Sequence, residues 1–92
     1  MSCLHILSRL TENRLPLALQ RNLNTDDALL LSGDAVYAAF STSSSLPANC
    51  HALETDVRAR GLLAQWPAHI PLIDHGAYVD LCVEHKKSLS WS

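Results

Sequence analysis

The sequence predicts an α/β fold, a small three-layer domain with a mostly parallel sheet of four to five strands flanked by helices. Three observations predict it. Short apolar runs of strand length recur along the chain, segments with helical apolar spacing alternate with them, and Asp, Thr or Gly stand where a strand would turn into a helix. Alternation of this kind calls for right-handed crossovers between parallel strands.

Cys3 to Leu7 (CLHIL) is a short apolar run, the pattern of a strand buried on both faces. Thr11 can cap the next segment, in which Leu15, Ala18, Leu19 and Leu23 recur at helical spacing over about residues 12 to 23, with Pro16 tolerated only in a first turn. Asn24 to Asp27 breaks that pattern, and Ala28 to Leu31 is the second strand. After Gly33-Asp34, Ala35 to Phe40 reads as a short helix ended by a serine-rich loop and Pro47. Cys50 to Leu53 is the third strand, followed by a helical segment from Val57 to Leu63 with a weak point at Gly61. Ile70 to Ile73 is the fourth. Asp74-His75-Gly76 leads into a last helix in which Val79, Cys82 and Val83 are expected to share one face, and the tail from Ser88 can add an edge strand.

The chain of 92 residues is read as one domain, 1–92, and at this size folding buries only about 60 to 65 % of the unfolded surface. An apolar fraction of 48 % beside 17 % charged residues is high for so small a body, so part of the apolar surface is expected in an interface. The net charge of −2 comes from scattered residues, which argues against direct nucleic-acid binding. No apolar run reaches the ~20 residues of a membrane span, and a basic leader region is missing, so a cytoplasmic protein is expected. Cys3, Cys50 and Cys82 are odd in number and lack C-x-x-C spacing, which argues against a disulfide framework and a zinc knuckle.

Asp34, Glu54, Asp56 and Asp74 all follow strands, on the edge where open parallel sheets bind ligands. Two readings compete. Converging carboxylates can hold magnesium or accept a phosphoryl group; alternatively, Asp34, Asp56 (or Thr55) and Asp74 are helix N-caps, each contributing about 1 kcal/mol. Capping explains all three turns with one chemistry, and the first strand lacks the acidic pair that a phosphoacceptor domain needs. Gly33 and Gly76 belong to no phosphate-binding pattern. Neither Cys3 nor Cys50 has a basic neighbour in sequence to lower its pKa, and Cys82 lies at core spacing. His5 reads as a satisfied or interfacial histidine, whereas His51, His69, His75 and His85 form no i, i+4 ligand pair. Neither a metal nor a cofactor is expected. Arg58 and Arg60 are candidate interface anchors, as are Tyr37 and Phe40, which flank two alanines, and Trp91.

Several strings in order along the chain, GDAVYAA from Gly33, ALETDVRARG from Ala52, LID from Leu72 to Asp74, VDL from Val79, VEH from Val83 and Ser90-Trp91, together with Leu4-His5, resemble the TusB/DsrH family. The resemblance implies a DsrE/DsrF/DsrH-like fold and a subunit of a TusBCD- or DsrEFH-type sulfur-relay complex. Its implied partners are TusC- and TusD-like (or DsrF- and DsrE-like) sister subunits and, indirectly, TusA- and TusE-like carriers. The implied role is 2-thiolation of the tRNA wobble uridine in one branch and sulfur oxidation in the other. Some members carry a cysteine in the first helix; residues 12 to 23 here contain none. The expectation is a non-catalytic subunit, with a persulfide carrier using Cys3 or Cys50 as the alternative.

Overall fold

The structure, a computed structural model, describes residues 3–9, 19, 21, 27–41, 46, 49–85 and 87–91. Five strands, β1 (Cys3–Leu7), β2 (Ala28–Leu31), β3 (Cys50–Leu53), β4 (Leu72–Ile73) and β5 (Lys87–Trp91), form one parallel sheet in the order β4-β3-β2-β1-β5. The helices are α1 (Ala38–Ser41), which continues a 3-10 turn over Gly33–Tyr37, α2 (Glu54–Ala59) and α3 (His75–Glu84).

The strand order explains the layers. From β1 to β4 each crossover steps the same way along the sheet, and only the last reverses, carrying the chain from the β4 edge back across to β5. Right-handed crossovers in opposite directions must use opposite faces. The alternation of side chains along paired strands places Leu7, Leu29, Leu31, Cys50, Ala52 and Trp91 on the first face, where Val36, Ala38 and Val57 pack on them. Leu4, Ala28 and Leu30 lie on the second face, against Tyr78, Leu81 and Cys82 of α3. The apolar runs of the central strands are thus continuous because both of their faces are covered.

Local chemistry sets the boundaries. Gly33 has φ +53, and a Cβ there would stand 3.1 Å from the Ser8 carbonyl oxygen, so glycine alone makes this turn without strain. Gly61, at φ +68, follows α2 in the left-handed region and donates to the Arg58 carbonyl, closing the helix. The helix expected over Val57 to Leu63 therefore lies earlier, with Glu54 and Asp56 in its first turn, where the helix dipole favours acids. β4 is shorter than IPLI because Pro71 has no N–H to give to a ladder and the Ile70 carbonyl accepts the Trp66 indole N–H at 2.8 Å. The segment expected as a helix from Ala35 to Phe40 begins as 3-10 turns and reaches α-geometry only at Ala38.

The face expected for α3 is also corrected. Tyr78, Leu81 and Cys82 meet the sheet, whereas Val79 and Val83 are 51 % and 79 % exposed. Both stripes satisfy helical spacing through Cys82, and the larger side chains took the sheet. Of the helix expected over 12 to 23, Leu19 and Arg21 are helical, and Leu19 is buried in the first layer; Thr11, Leu15, Pro16, Ala18 and Leu23 lie outside the described residues, as do Pro47 and positions 42 to 45 of the serine loop. Among the described residues no helix is long and apolar enough to cross a membrane.

Candidate functional site

The carboxyl ends of β2 and β3 bring together most of the acids noted in the sequence. Ser32, leaving β2, donates its N–H to the Leu7 carbonyl at 2.9 Å and so fixes the turn against β1. Gly33 then turns its own N–H toward Asp56, whose Oδ2 accepts it at 2.9 Å. Arg60, at the end of α2, reaches back over the same turn: its Nη2 and Nε donate to Asp34 Oδ1 at 2.9 and 3.1 Å, and its Nη1 donates to the Asp56 carbonyl at 3.1 Å. The arginine fork thus clasps the β2 turn to α2.

Two expected caps are corrected by this geometry. Asp34 stands one residue inside the 3-10 turn, whose cap position is Ser32, and it pairs with Arg60. Asp56 lies in the first turn of α2, whose cap position is Leu53, and it serves a neighbouring backbone N–H. Thr55 also falls within α2. Asp74 occupies the N-cap of α3 and accepts the Ala77 N–H at 2.8 Å. Glu54 is bound to Arg58 along α2 at 3.2 Å, an exposed i, i+4 pair of the kind that contributes a few tenths of a kcal/mol. Among the described residues no three His, Cys, Asp or Glu side chains are grouped to hold a metal ion.

The expected interface residues are dispersed. Tyr37 and Phe40 are exposed, and the Phe40 ring meets Trp66 edge to face at 5.6 Å. Arg58 faces solvent, while Arg60 is committed to the clasp. Trp91 turns inward: its indole N–H donates to His5 Nδ1 at 3.1 Å and its ring stacks on the imidazole.

That contact leads to a cluster that satisfies His5, with a partner that sequence spacing does not point to. His5 and Asp27 are each 1 % exposed and joined at 2.9 Å, Nε2 to Oδ2. Because Nδ1 accepts the indole proton, Nε2 carries the imidazole proton and donates it to the carboxylate. The other oxygen of Asp27 accepts the Cys3 N–H at 2.9 Å. Asp27 falls in the break before β2, and its signal is an acid directly before a fully apolar strand, level with Cys3 and two residues from a histidine on the same face of the neighbouring strand.

Two of the three thiols are held toward the protonated form. Burial pushes the Cys50 thiol up to about 12 from 9.0. Cys3 is raised as well, by burial first and then by the Asp27 carboxylate, with Lys87 opposing. Cys82 is half-buried against α3's side of the sheet. A sulfur nucleophile works as its thiolate, so both shifts oppose attack at neutral pH.

A cavity of about 260 Å³ lies between α3 and the β3–β4 edge, lined by His51, Ile73, Ala77, Asp80, Leu81 and Glu84. His51 Nδ1 is buried with no hydrogen-bond partner among the described residues.

Comparison with known proteins places this geometry. Residues 8–88 match the family described as DsrH like protein. Two curated relatives, each called Protein TusB, come from Yersinia pestis (strain Pestoides F) and Yersinia pseudotuberculosis serotype O:1b (strain IP 31758). Each is 39 % identical over 80 residues, covering 80 % of this chain and 84 % of the relative. The solution NMR structure of Protein Tm0979 from Thermotoga maritima shares the fold, with a TM-score of 0.70 and 23 % identity over 89 % of this chain and 92 % of that one.

Proposed function

The chain belongs to the DsrH-like family, and from that premise we propose that it is a sulfur-relay subunit supporting 2-thiolation of the tRNA wobble uridine. The TusB relatives favour the thiolation branch over sulfur oxidation. Within that relay this chain is a non-catalytic member of a cytoplasmic hetero-oligomer with TusC- and TusD-like sisters, which hand sulfur between TusA- and TusE-like carriers.

The observation that carries the non-catalytic role is the state of the thiols. Persulfide transfer needs a thiolate that is both accessible and stabilised, usually by a cation or a helix N-terminus. Cys50 is buried and held protonated, and the nearest influences on Cys3 are desolvation and a carboxylate. The acids at the sheet edge are engaged in holding the β2 turn, α2 and α3 in place, which also supports a scaffold over a phosphoryl or magnesium site.

The test is complementation. In a strain lacking this gene, the wild-type chain is expected to restore 2-thiouridine in tRNA, read by mass spectrometry of nucleosides. A triple variant Cys3→Ser, Cys50→Ala, Cys82→Ala that still assembles with its sisters is expected to restore it equally. Assembly without thiolation would transfer the sulfur-carrying role to this chain.

A further inference from the structure

The last strand is pinned near its end by a hydrogen bond to a titratable group. β5 lies at the edge of the sheet and pairs only with β1. At Trp91 the backbone is tied by two long bonds, which its carbonyl accepts from the Ser8 N–H at 3.3 Å and the Ser8 hydroxyl at 3.5 Å. The side chain makes a shorter one. Its indole N–H donates to His5 Nδ1 at 3.1 Å, and the two rings stack with centroids 6.1 Å apart.

That bond depends on the absence of one proton. An indole nitrogen only donates, and a protonated imidazole donates from both of its nitrogens, so a proton on Nδ1 sets two N–H groups against each other. On the opposite side of the ring nothing is lost: the bond from Nε2 to Asp27 Oδ2 at 2.9 Å becomes charge-assisted. Asp27 is itself anchored by the Cys3 N–H at 2.9 Å, so the imidazole keeps its place and the indole is the group that gives way. The charged and titratable groups around the ring, among the described residues, are Asp27 before β2, the Cys3 thiol on β1 and Lys87 opposite Cys3 on β5. Asp27 has the charge that an imidazolium pairs with, and Lys87 has the like charge. Arg21, in the segment after β1, is exposed.

We propose that His5 and Trp91 form a proton-controlled latch on the C-terminal strand. With Nδ1 bare, the indole is seated and the end of β5 is closed against β1. With Nδ1 protonated, the indole is released and the end of β5 loosens while the other strands keep their pairing. The proton comes from solvent, the indole bond to Nδ1 is the one lost, and the bond from Nε2 to Asp27 is kept. Trp91 is only half-buried, so the motion that frees it also admits solvent to the otherwise buried pair. Because β5 is the outermost strand, release uncovers the flank of β1 and leaves β2, β3 and β4 undisturbed.

The experiment is NMR of the full chain with isotopically labelled tryptophan and histidine, titrated from about pH 8 to 5, the range in which histidines usually change charge. The chain has two tryptophans, and Trp66→Phe assigns their indole signals. The Trp91 indole is expected to move toward the position of a free indole with the same midpoint as the His5 ring nitrogens. Its exchange with solvent should rise roughly tenfold relative to that of Trp66, whose indole N–H is held by the Ile70 carbonyl. His5→Gln keeps an acceptor that does not titrate in this range, and should hold the Trp91 signal constant; if that variant does not fold, the wild-type titration decides alone. A Trp91 signal that stays fixed while His5 titrates would overturn the latch. So would a His5 that takes up no proton before the chain unfolds, with both indoles shifting together.

Discussion

The first face of the sheet, carrying Leu7, Leu29, Leu31, Cys50 and Ala52, is sealed by the 3-10 turn, α1, α2 and partly by Trp66 and Trp91. The second face, carrying Leu4, Ile6, Leu30, His51 and Ile73, meets only α3 among the described residues. On the first face Leu7, Leu29, Leu31 and Ala52 are fully buried, and Leu72 at the sheet edge is half-buried. On the second, only Leu4, Ala28 and Leu30 are, and the rest are half-covered around a cavity that contains an unpartnered imidazole nitrogen. The difference follows from topology, since a single reversed crossover supplies one helix to cover the width of five strands. The fully buried side chains are concentrated on one side.

The sharpest way to break this contrast is at the buried pair beneath Trp91. Asp27→Ala removes the acceptor for both the His5 imidazole and the Cys3 amide, and the loss expected is about 3–5 kcal/mol in urea unfolding. Asp34→Ala, which breaks the exposed clasp with Arg60, should cost no more than about 1 kcal/mol. Near-equal losses would show that the two pairs are not differently buried in solution. Next in size, Leu31→Ala in the middle of the sealed face should cost about 3 kcal/mol, whereas Leu81→Ala under α3 should cost about half of that, because a half-covered site can collapse or admit water.

Titration sharpens the comparison further. His51 has its folded pKa below 6.5, so the unfolded chain binds the extra proton and stability is fully present above about pH 6.5, falling as pH drops below it. The melting temperature is expected to fall between pH 7 and 5.5, and His51→Phe should flatten that limb. An unchanged limb would show that His51 is not its source. At the alkaline end Cys50 has its folded pKa raised to about 12, so its contribution holds below pH 9 and weakens above it. Iodoacetamide followed by peptide mapping at pH 8 should accordingly leave Cys50 unmodified while Cys3, half-exposed, reacts slowly. The smallest effect is expected for Val83→Ser, within about 0.5 kcal/mol in stability because the side chain already faces solvent.

The strands were legible in the sequence because a parallel strand covered on both faces is apolar without interruption, and β1, β2 and β3 have the limits that pattern implies. Helix faces were less legible. Val79 and Tyr78 both make helical spacing with Cys82, so spacing by itself does not decide which of them packs on the sheet. Asp34 and Asp56 look like caps in the sequence because an acid just after a strand satisfies either role, and the partners that decide, Arg60 for Asp34 and Gly33 for Asp56, stand 26 and 23 positions away. His5 with Asp27 shows the same limit. Each is locally an anomaly in or beside an apolar strand, and together they form one hydrogen-bonded pair, visible only once β1 and β2 lie side by side.

The placement of β5 beside β1 joins the segment at residues 3–7 to the segment at 87–91, the most widely separated pairing in the sheet. Such pairing carries a large loop-closure entropy and forms late in folding. Until it forms, β1 has an open apolar flank and His5 lacks the indole that holds its tautomer. Deletion of the last strand would thus leave a nascent chain with a sticky border able to pair with copies of itself. Trp91 then doubles as an optical reporter, its emission marking the moment at which that border closes.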